Sequence, residues 1–360
     1  MIYQIIYVLL IIVGYFIISG LNIKNNKRVY IVFVCTILIL QSALRNWAVG
    51  ADTYQYYNRF LLAGESSWQE IWSFFSDVYI AGEGKDAGYP LLEKLFYTFI
   101  SKDFQLYLFA VALFLFTTFG ILLDRFSRNT MDVLIATAAY YLLFYSFFSI
   151  TGIRQTISTA CSIHCFLALL DKKYLRYLLF FIPAFFIHKS AAIVLVFPLL
   201  LIIKDYRYTS IIAIILFFIA LLNRDFLVNY FRELAEYEIY HSRLPYRLMI
   251  FYFVISVCIF VYIRHLSGVS DEKSQVEKKL YNMYIPAFAC IPLLGWDSLF
   301  MREILYFAFY GVFLIASFLR WFKARTVLWL FIIFCFTMFV IQNSEYGFFW
   351  QEMALPDNYM

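Results

Sequence analysis

Between Gly152 and Ser190 ionisable side chains are set into two apolar runs joined by a basic turn. The chain reads GIRQTISTACSIHCFLALL, then a basic turn DKKYLR, then YLLFFIPAFFIHKS, so Arg154, His164 and His188 lie within or at the ends of apolar runs. An arginine near a bilayer centre costs roughly 2.5–3.5 kcal/mol on insertion scales, so it is kept facing a bundle interior or a wet cavity. His188 is the group suited to proton transfer, because imidazole titrates near neutrality; a core histidine bonded to a helix carbonyl is the plainer reading. On a helix, Arg154, Ser158, Cys161, Cys165 and Ala168 share one stripe, small residues beneath an arginine, which suits close contact with a neighbouring helix. Cys161, His164 and Cys165 have no second ligand pair elsewhere and read as small helix residues rather than a metal site. No metal or cofactor is expected.

These residues need a membrane framework. At 63% hydrophobic and 15% charged, the chain is far more apolar than a soluble domain, where apolar usage is roughly 45–50%. The net charge of +5 comes from short Lys/Arg clusters between apolar runs, which is how topology determinants are distributed, and nucleic acid is not implied. The six cysteines are scattered along apolar segments and show no disulfide framework.

Apolar runs occupy Ile2 to Ser19, Tyr30 to Leu44, Phe104 to Leu123, Val133 to Ile150, Ile153 to Leu170, Tyr177 to Ile203, Ile211 to Leu222, Leu248 to Ile263, Leu280 to Leu294, Ile304 to Leu319 and Val327 to Ile341. The first lacks the basic start and small-residue cleavage site of a secretory signal and is expected to remain as a helix. Tyr177 to Ile203 is long for one crossing and short for two, and Pro183 predicts a broken or kinked pair. The expected fold is all-α, a polytopic transmembrane bundle of roughly 10 to 13 helices forming a single integral membrane domain over 1–360. SSWQEIWSFFSDVY and PLLEKLFYTFI, within the long polar stretch from Arg45 to Asp103, are amphipathic, too short or too charged to span, and suited to lying at the interface.

Lys24, Lys27 and Arg28, and later Lys172, Lys173 and Arg176, place their turns in the cytoplasm by the positive-inside rule. Parity then gathers Arg45, Asp52, Asp86, Arg154, Gln155, His188, Lys189, Asp297 and Arg302 on the outer side, around the Arg45–Asp103 loop. A snorkelling charge at a helix end explains any one of them. Together, several cations beside lipid suit a phosphate-bearing amphiphile, since guanidinium forks match phosphate oxygens. Asp52 follows Gly50 in VGADTYQYYNRF, where Thr53, Tyr54, Tyr56 and Tyr57 supply hydroxyls and flat rings suited to sugars, although an Asp capping a helix that begins at Thr53 is equally natural.

Four pieces in order, RNWAVGADTYQYYNRF, DAGYPLLEKL, GIRQTISTACSI and PAFFIHKSAAIVLVFPLL, with Arg302 before a late helix, resemble the EpsG-like group of Wzy-type bacterial polysaccharide polymerases. The chain departs from that pattern at Asp86, where the family usually carries glutamate, and this weakens a specific role for Asp86. The resemblance implies an enzyme of the bacterial inner membrane that transfers a growing glycan from one undecaprenyl diphosphate carrier to a sugar hydroxyl of another lipid-linked repeat unit, at the extracytoplasmic face. Its implied partners are the lipid-linked donor and acceptor, the bilayer, a flippase and a chain-length regulator. On that reading Arg154 and Arg302 hold the diphosphate, Arg45 serves structure or phosphate, Asp52 or His188 activates the acceptor, and Tyr56, Gln155 and Lys189 bind substrate. An O-antigen ligase or other lipid-linked glycosyltransferase is the alternative within the same chemistry. A lipid or polysaccharide transporter ranks third, because no internal repeat is visible.

The topology predicts that Ser66→Cys reacts with a membrane-impermeant maleimide added to intact cells. Labelling only after the membrane is breached would remove the outer-side grouping.

Overall fold

The structure, a computed structural model, describes residues 1–21, 24–235, 246–266, 269, 271–294 and 299–353. Among them the chain is helical throughout, with one isolated antiparallel bridge between Arg45 and Phe348. Five helices are long and apolar enough to cross a bilayer, two bent pairs raise this to seven, and four shorter apolar helices accompany them. The chain forms two compact units, residues 1–192 with 329–360, and residues 193–328.

The first unit contains α1 (Ile2–Gly20), α2 (Asn26–Ala43), α3 (Thr53–Glu65), α4 (Trp68–Ser76), α5 (Gly88–Phe99), α6 (Phe104–Phe126), α7 (Thr130–Leu143), α8 (Ile153–Leu170) and α9 (Tyr174–Ile187). The two amphipathic stretches of the long loop become α4 and α5, neither long enough to span. Ser67 and Glu70 close a capping box at the start of α4, which satisfies two orphan amides and fixes where that helix begins.

The two ends of this unit differ in chemistry. At one end Lys27 and Arg28 meet Asp124 at 3.2 and 3.1 Å, and Arg125 meets Asp171 at 2.8 Å. These pairs are partly or largely exposed, so solvent screening leaves each with little stabilising effect. The opposite end holds the last turn of α2, the first turn of α8 and the last turn of α9, where Arg45, Arg154 and His188 lie.

The small-residue stripe of α8 packs against α9. Ser158 Oγ donates to the Ala184 carbonyl at 2.8 Å and Cys165 Sγ reaches the Tyr177 carbonyl at 3.5 Å, with Ser158 and Ala184 wholly buried. Helix association in lipid gains nothing from hydrophobic transfer, so close backbone approach through small side chains is what joins such a pair.

The run Val133 to Ile150, expected as one crossing, is bent by 72° between α7 and a π-helical turn, Tyr145–Thr151. Neighbouring side chains satisfy the carbonyls this turn leaves open: Ser42 Oγ donates to Ser149 O at 2.7 Å, Arg45 Nη2 to Ile150 O at 3.0 Å and Thr156 Oγ1 to Phe148 O at 2.9 Å. Irregular backbone at membrane depth is tolerated where protein groups replace the missing bonds. The run from Tyr177 breaks at His188, whose extended backbone (φ −152°, ψ 109°) ends α9. A 3₁₀ segment, Lys189–Val196, follows.

The second unit contains α10 (Phe197–Ile202), α11 (Tyr206–Leu222), α12 (Arg224–Ala235), α13 (Tyr246–His265), α14 (Glu272–Ala289), α15 (Ile291–Leu294), α16 (Leu299–Ala308) and α17 (Gly311–Trp321). The run Ile304 to Leu319, also expected as one crossing, is bent by 53° between the last two. Much of the hydrophilic turn RHLSGVSDEKSQVEKK is helical here, because Glu277 is buried and accepts from Tyr262 Oη at 2.6 Å and Ser317 Oγ at 2.8 Å. The last helix, α18 (Arg325–Gln342), belongs to the first unit from Trp329 onward.

Overpacking at the α8–α9 contact is predicted to weaken the first unit. Ser158→Leu should lower thermal stability in detergent by about 1–3 kcal/mol, against about 0.5–1.5 kcal/mol for Ser158→Ala, which loses only a hydrogen bond.

Candidate functional site

The loop between α4 and α5 turns on backbone in the left-handed region: Gly82 at φ +81°, Gly84 at +86° and Asp86 at +58°. Aspartate is among the few non-glycine residues that adopt this conformation readily. Gly88, two residues on, lets α5 approach the end of α9. A Cβ there would lie 2.5 Å from the Phe186 carbonyl oxygen, which is backbone and cannot move aside. Tyr79 fastens the same contact by donating to Phe186 O at 2.7 Å.

This seating delivers the Asp86 carboxylate to two other elements at once. Its Oδ2 accepts from Arg154 Nη1 at 2.9 Å and lies 3.0 Å from His188 Nδ1, while Oδ1 accepts the Lys189 amide at 2.8 Å. Asp86 and His188 are buried, and the Arg154 side chain keeps 22% of its exposure. Arg154 Nε also reaches Tyr56 Oη at 3.4 Å, and the guanidinium stands 5.9 Å over the Tyr56 ring. Those contacts use two of the five guanidinium N–H donors. Arg154 lies in the first turn of α8, where unpaired amides and the helix dipole add positive potential.

Burial alone would raise the Asp86 carboxyl. The hydrogen bond and charge of His188, the charge of Arg154 and the Lys189 amide outweigh it and hold the group below the ordinary aspartate value. When the imidazole is neutral, a carboxylate accepting from Nδ1 fixes its tautomer and leaves Nε2 as the proton acceptor. Nε2 is buried and makes no hydrogen bond.

The other sequence candidates divide. Tyr56 and Lys189 join the cluster, and Lys189 Nζ bonds Gly84 O at 3.0 Å and stands 5.8 Å from the Tyr79 ring. Gln155 is buried on α8. Arg45 is buried and gives its guanidinium to backbone, bonding Ser42 O and Ile150 O; that is a brace between α2 and the π-helical turn. Asp52 occupies the N-cap position of α3 without a side-chain capping bond, and no contact joins it to Asp86, Arg154 or His188. Gly50, at φ +97° with Ile150 Cγ2 2.3 Å from where its Cβ would be, shapes that turn. Arg302 lies in α16 of the second unit, and Asp297 lies outside the described residues. Asp86, given no specific role from the sequence, is the centre of the cluster. The signal for it was the GEGKDAG run, whose glycines free the loop to turn there.

Removing the shared carboxylate leaves the buried His188 and the half-buried Arg154 unmatched. Asp86→Asn is predicted to lower stability at neutral pH by roughly 3 kcal/mol, the scale for breaking a buried pair. Because the folded value lies below the unfolded value of about 3.9, this contribution is present above that pH and is lost as pH falls through the depressed folded value. Thermal midpoints of wild type and variant in detergent should therefore converge below about pH 4. A constant gap down to acid pH would mean the carboxylate is not ionised in the cluster.

No curated protein and no solved structure matches the chain. A model of the EpsG family matches residues 28–352, which includes Asp86, Arg154 and His188 and both compact units. The chain therefore belongs to the EpsG family.

Proposed function

We propose that this chain is a membrane glycosyl-transfer polymerase that joins undecaprenyl-diphosphate-linked repeat units at the extracytoplasmic face. Membership of the EpsG family makes it a membrane protein of polysaccharide biosynthesis. The observation that carries the finer reading is that Arg154 and His188 share one oxygen of Asp86, so an anion-binding group and a proton acceptor are fixed side by side. The cluster lies at the end of the first unit opposite Lys27, Arg28 and Arg125. If those basic turns are cytoplasmic, the cluster faces outward.

In the proposed reaction an acceptor sugar hydroxyl gives its proton to His188 Nε2 as its oxygen bonds to the anomeric carbon of the donor glycan. The bond from that carbon to the diphosphate oxygen breaks, and its electron pair leaves on the lipid diphosphate. Asp86 stabilises the imidazolium that forms, as a buried carboxylate does beside a catalytic histidine. Arg154 meets the charge growing on the leaving group, and such preorganised donors are most effective where water is excluded. Tyr56 and the Lys189 amide flank the same cluster. Cleavage of the donor's bond to diphosphate drives the transfer without nucleotide.

Purified protein given only the lipid-diphosphate-linked repeat unit is expected to form a ladder of products. A ligase would need a different acceptor, and a transporter would leave the repeat unit unchanged. His188→Ala should slow the ladder by about 10²–10⁴, the range for general acid–base catalysis. Arg154→Lys should lose most activity at equal expression, because an ammonium cannot reproduce a planar bidentate contact. If Asp52→Asn abolishes the ladder while His188→Ala does not, acceptor activation belongs to Asp52. Unaltered cognate repeat unit with wild-type protein would overturn the enzyme reading.

A further inference from the structure

Within electrostatic reach of Arg154 lies a second carboxylate that the reaction above does not use. Glu93, on α5, is fully buried, and no ion pair reaches it among the described residues. The Tyr89 hydroxyl is its near neighbour and that of Tyr107 lies beside Tyr89, yet none of these four oxygens completes a hydrogen bond. An ionised carboxylate buried without partners is costly enough that such a group is held neutral. Tyr89 packs edge-on against Tyr56 at 5.6 Å, and the Tyr56 ring faces the Arg154 guanidinium.

We propose that Glu93 is a positioning residue whose protonation sets the pH range in which Arg154 binds a diphosphate. The proposal rests on the reading of Arg154 as a diphosphate clamp. Protonated, Glu93 leaves the guanidinium charge to the ligand; ionised, it places a negative charge within reach of that guanidinium and weakens anion binding.

The surrounding groups agree. The cations within electrostatic reach are Arg154 on α8 and Arg59 on α3, and the phenols are Tyr89, Tyr107 and Tyr56. Lys94, next along α5, is engaged elsewhere, bonding Gly64 O at 2.7 Å and facing Trp68. Glu70 on α4 is tied into its capping box, and Asp86 and His188 bond one another. Burial pushes the Glu93 carboxyl up to about 8, against the opposing charges of Arg59 and Arg154.

The test measures binding of undecaprenyl diphosphate to the full-length protein in nanodiscs from pH 7 to 9, for wild type and Glu93→Gln. Wild-type affinity is expected to fall roughly tenfold across that range, the scale of one unit charge acting through a protein interior, while Glu93→Gln stays level. The infrared difference spectrum between the two proteins should show a protonated-carboxyl band that wild type loses with a midpoint near pH 8. Superimposable binding profiles would overturn the role of Glu93 and leave the clamp standing. Absence of wild-type binding at every pH would remove the clamp and this proposal together. Should Glu93→Gln fail to accumulate, Glu93→Asp keeps the acid on a shorter stem and must move both band and midpoint; if neither moves, the proposal is wrong.

Discussion

A carboxylate taken out of water must be matched on every side, and one end of the first unit is arranged around that requirement at Asp86. One oxygen serves Arg154 and His188 and the other serves the Lys189 amide. No one of these elements holds the geometry alone. The loop contributes the carboxylate, α8 the guanidinium and the end of α9 the imidazole and amide. The glycine-rich turn, the bare Cα of Gly88 against the Phe186 carbonyl and the extended backbone at His188 are the local conditions that let the three meet.

The same economy of partners appears wherever backbone leaves regular helix. Arg45 and Ser42 answer the π-helical turn, and Asn46 bonds the Phe348 and Gln351 carbonyls. In water these groups would have solvent as an alternative; near lipid they have only one another. The residue types that look most like ligands in an apolar chain are therefore often structural. Arg45 and Arg154 illustrate the difference. Both lie at the end of the unit away from the basic turns, but Arg45 spends its guanidinium on carbonyls, whereas Arg154 meets a side-chain anion and keeps part of its surface open.

Much of this was legible in the sequence. The apolar segmentation, the close face of α8 and a break within the run from Tyr177 follow from residue type and spacing, although the break falls at His188 and Pro183 sits inside α9. Three things did not. Asp86 stands 68 residues from Arg154 and 102 from His188, and no helical or strand period links such positions; only the folded loop does. Glu93 sits in PLLEKLFYTFI, where an amphipathic pattern places a glutamate toward water, yet it is fully buried on a helix whose aromatic side chains pack into a cluster shared with α3 and α6. The 72° bend after α7 occurs within a uniformly apolar run, since its cause is the set of hydroxyls and the arginine on neighbouring segments rather than a proline or glycine of its own.

The segment after α18 has a consequence for how the protein is made. Asn46 donates its amide to Gly347 O at 2.8 Å, Phe349 returns its own to Leu44 O at 2.9 Å, Tyr346 donates to Gln41 O, and Gln351 reaches the Tyr3 hydroxyl at 2.7 Å. These bonds join residues 3–46 to residues 346–351 and cross more than 300 residues. Helices α1 and α2 are thus inserted long before the segment that closes this end of them has left the ribosome. Through most of synthesis the polar groups at the exit of α2 must be borne by lipid headgroups, water or the insertion machinery. A nascent chain stalled before Trp329 would hold Asp86, Arg154 and His188 but not the clasp.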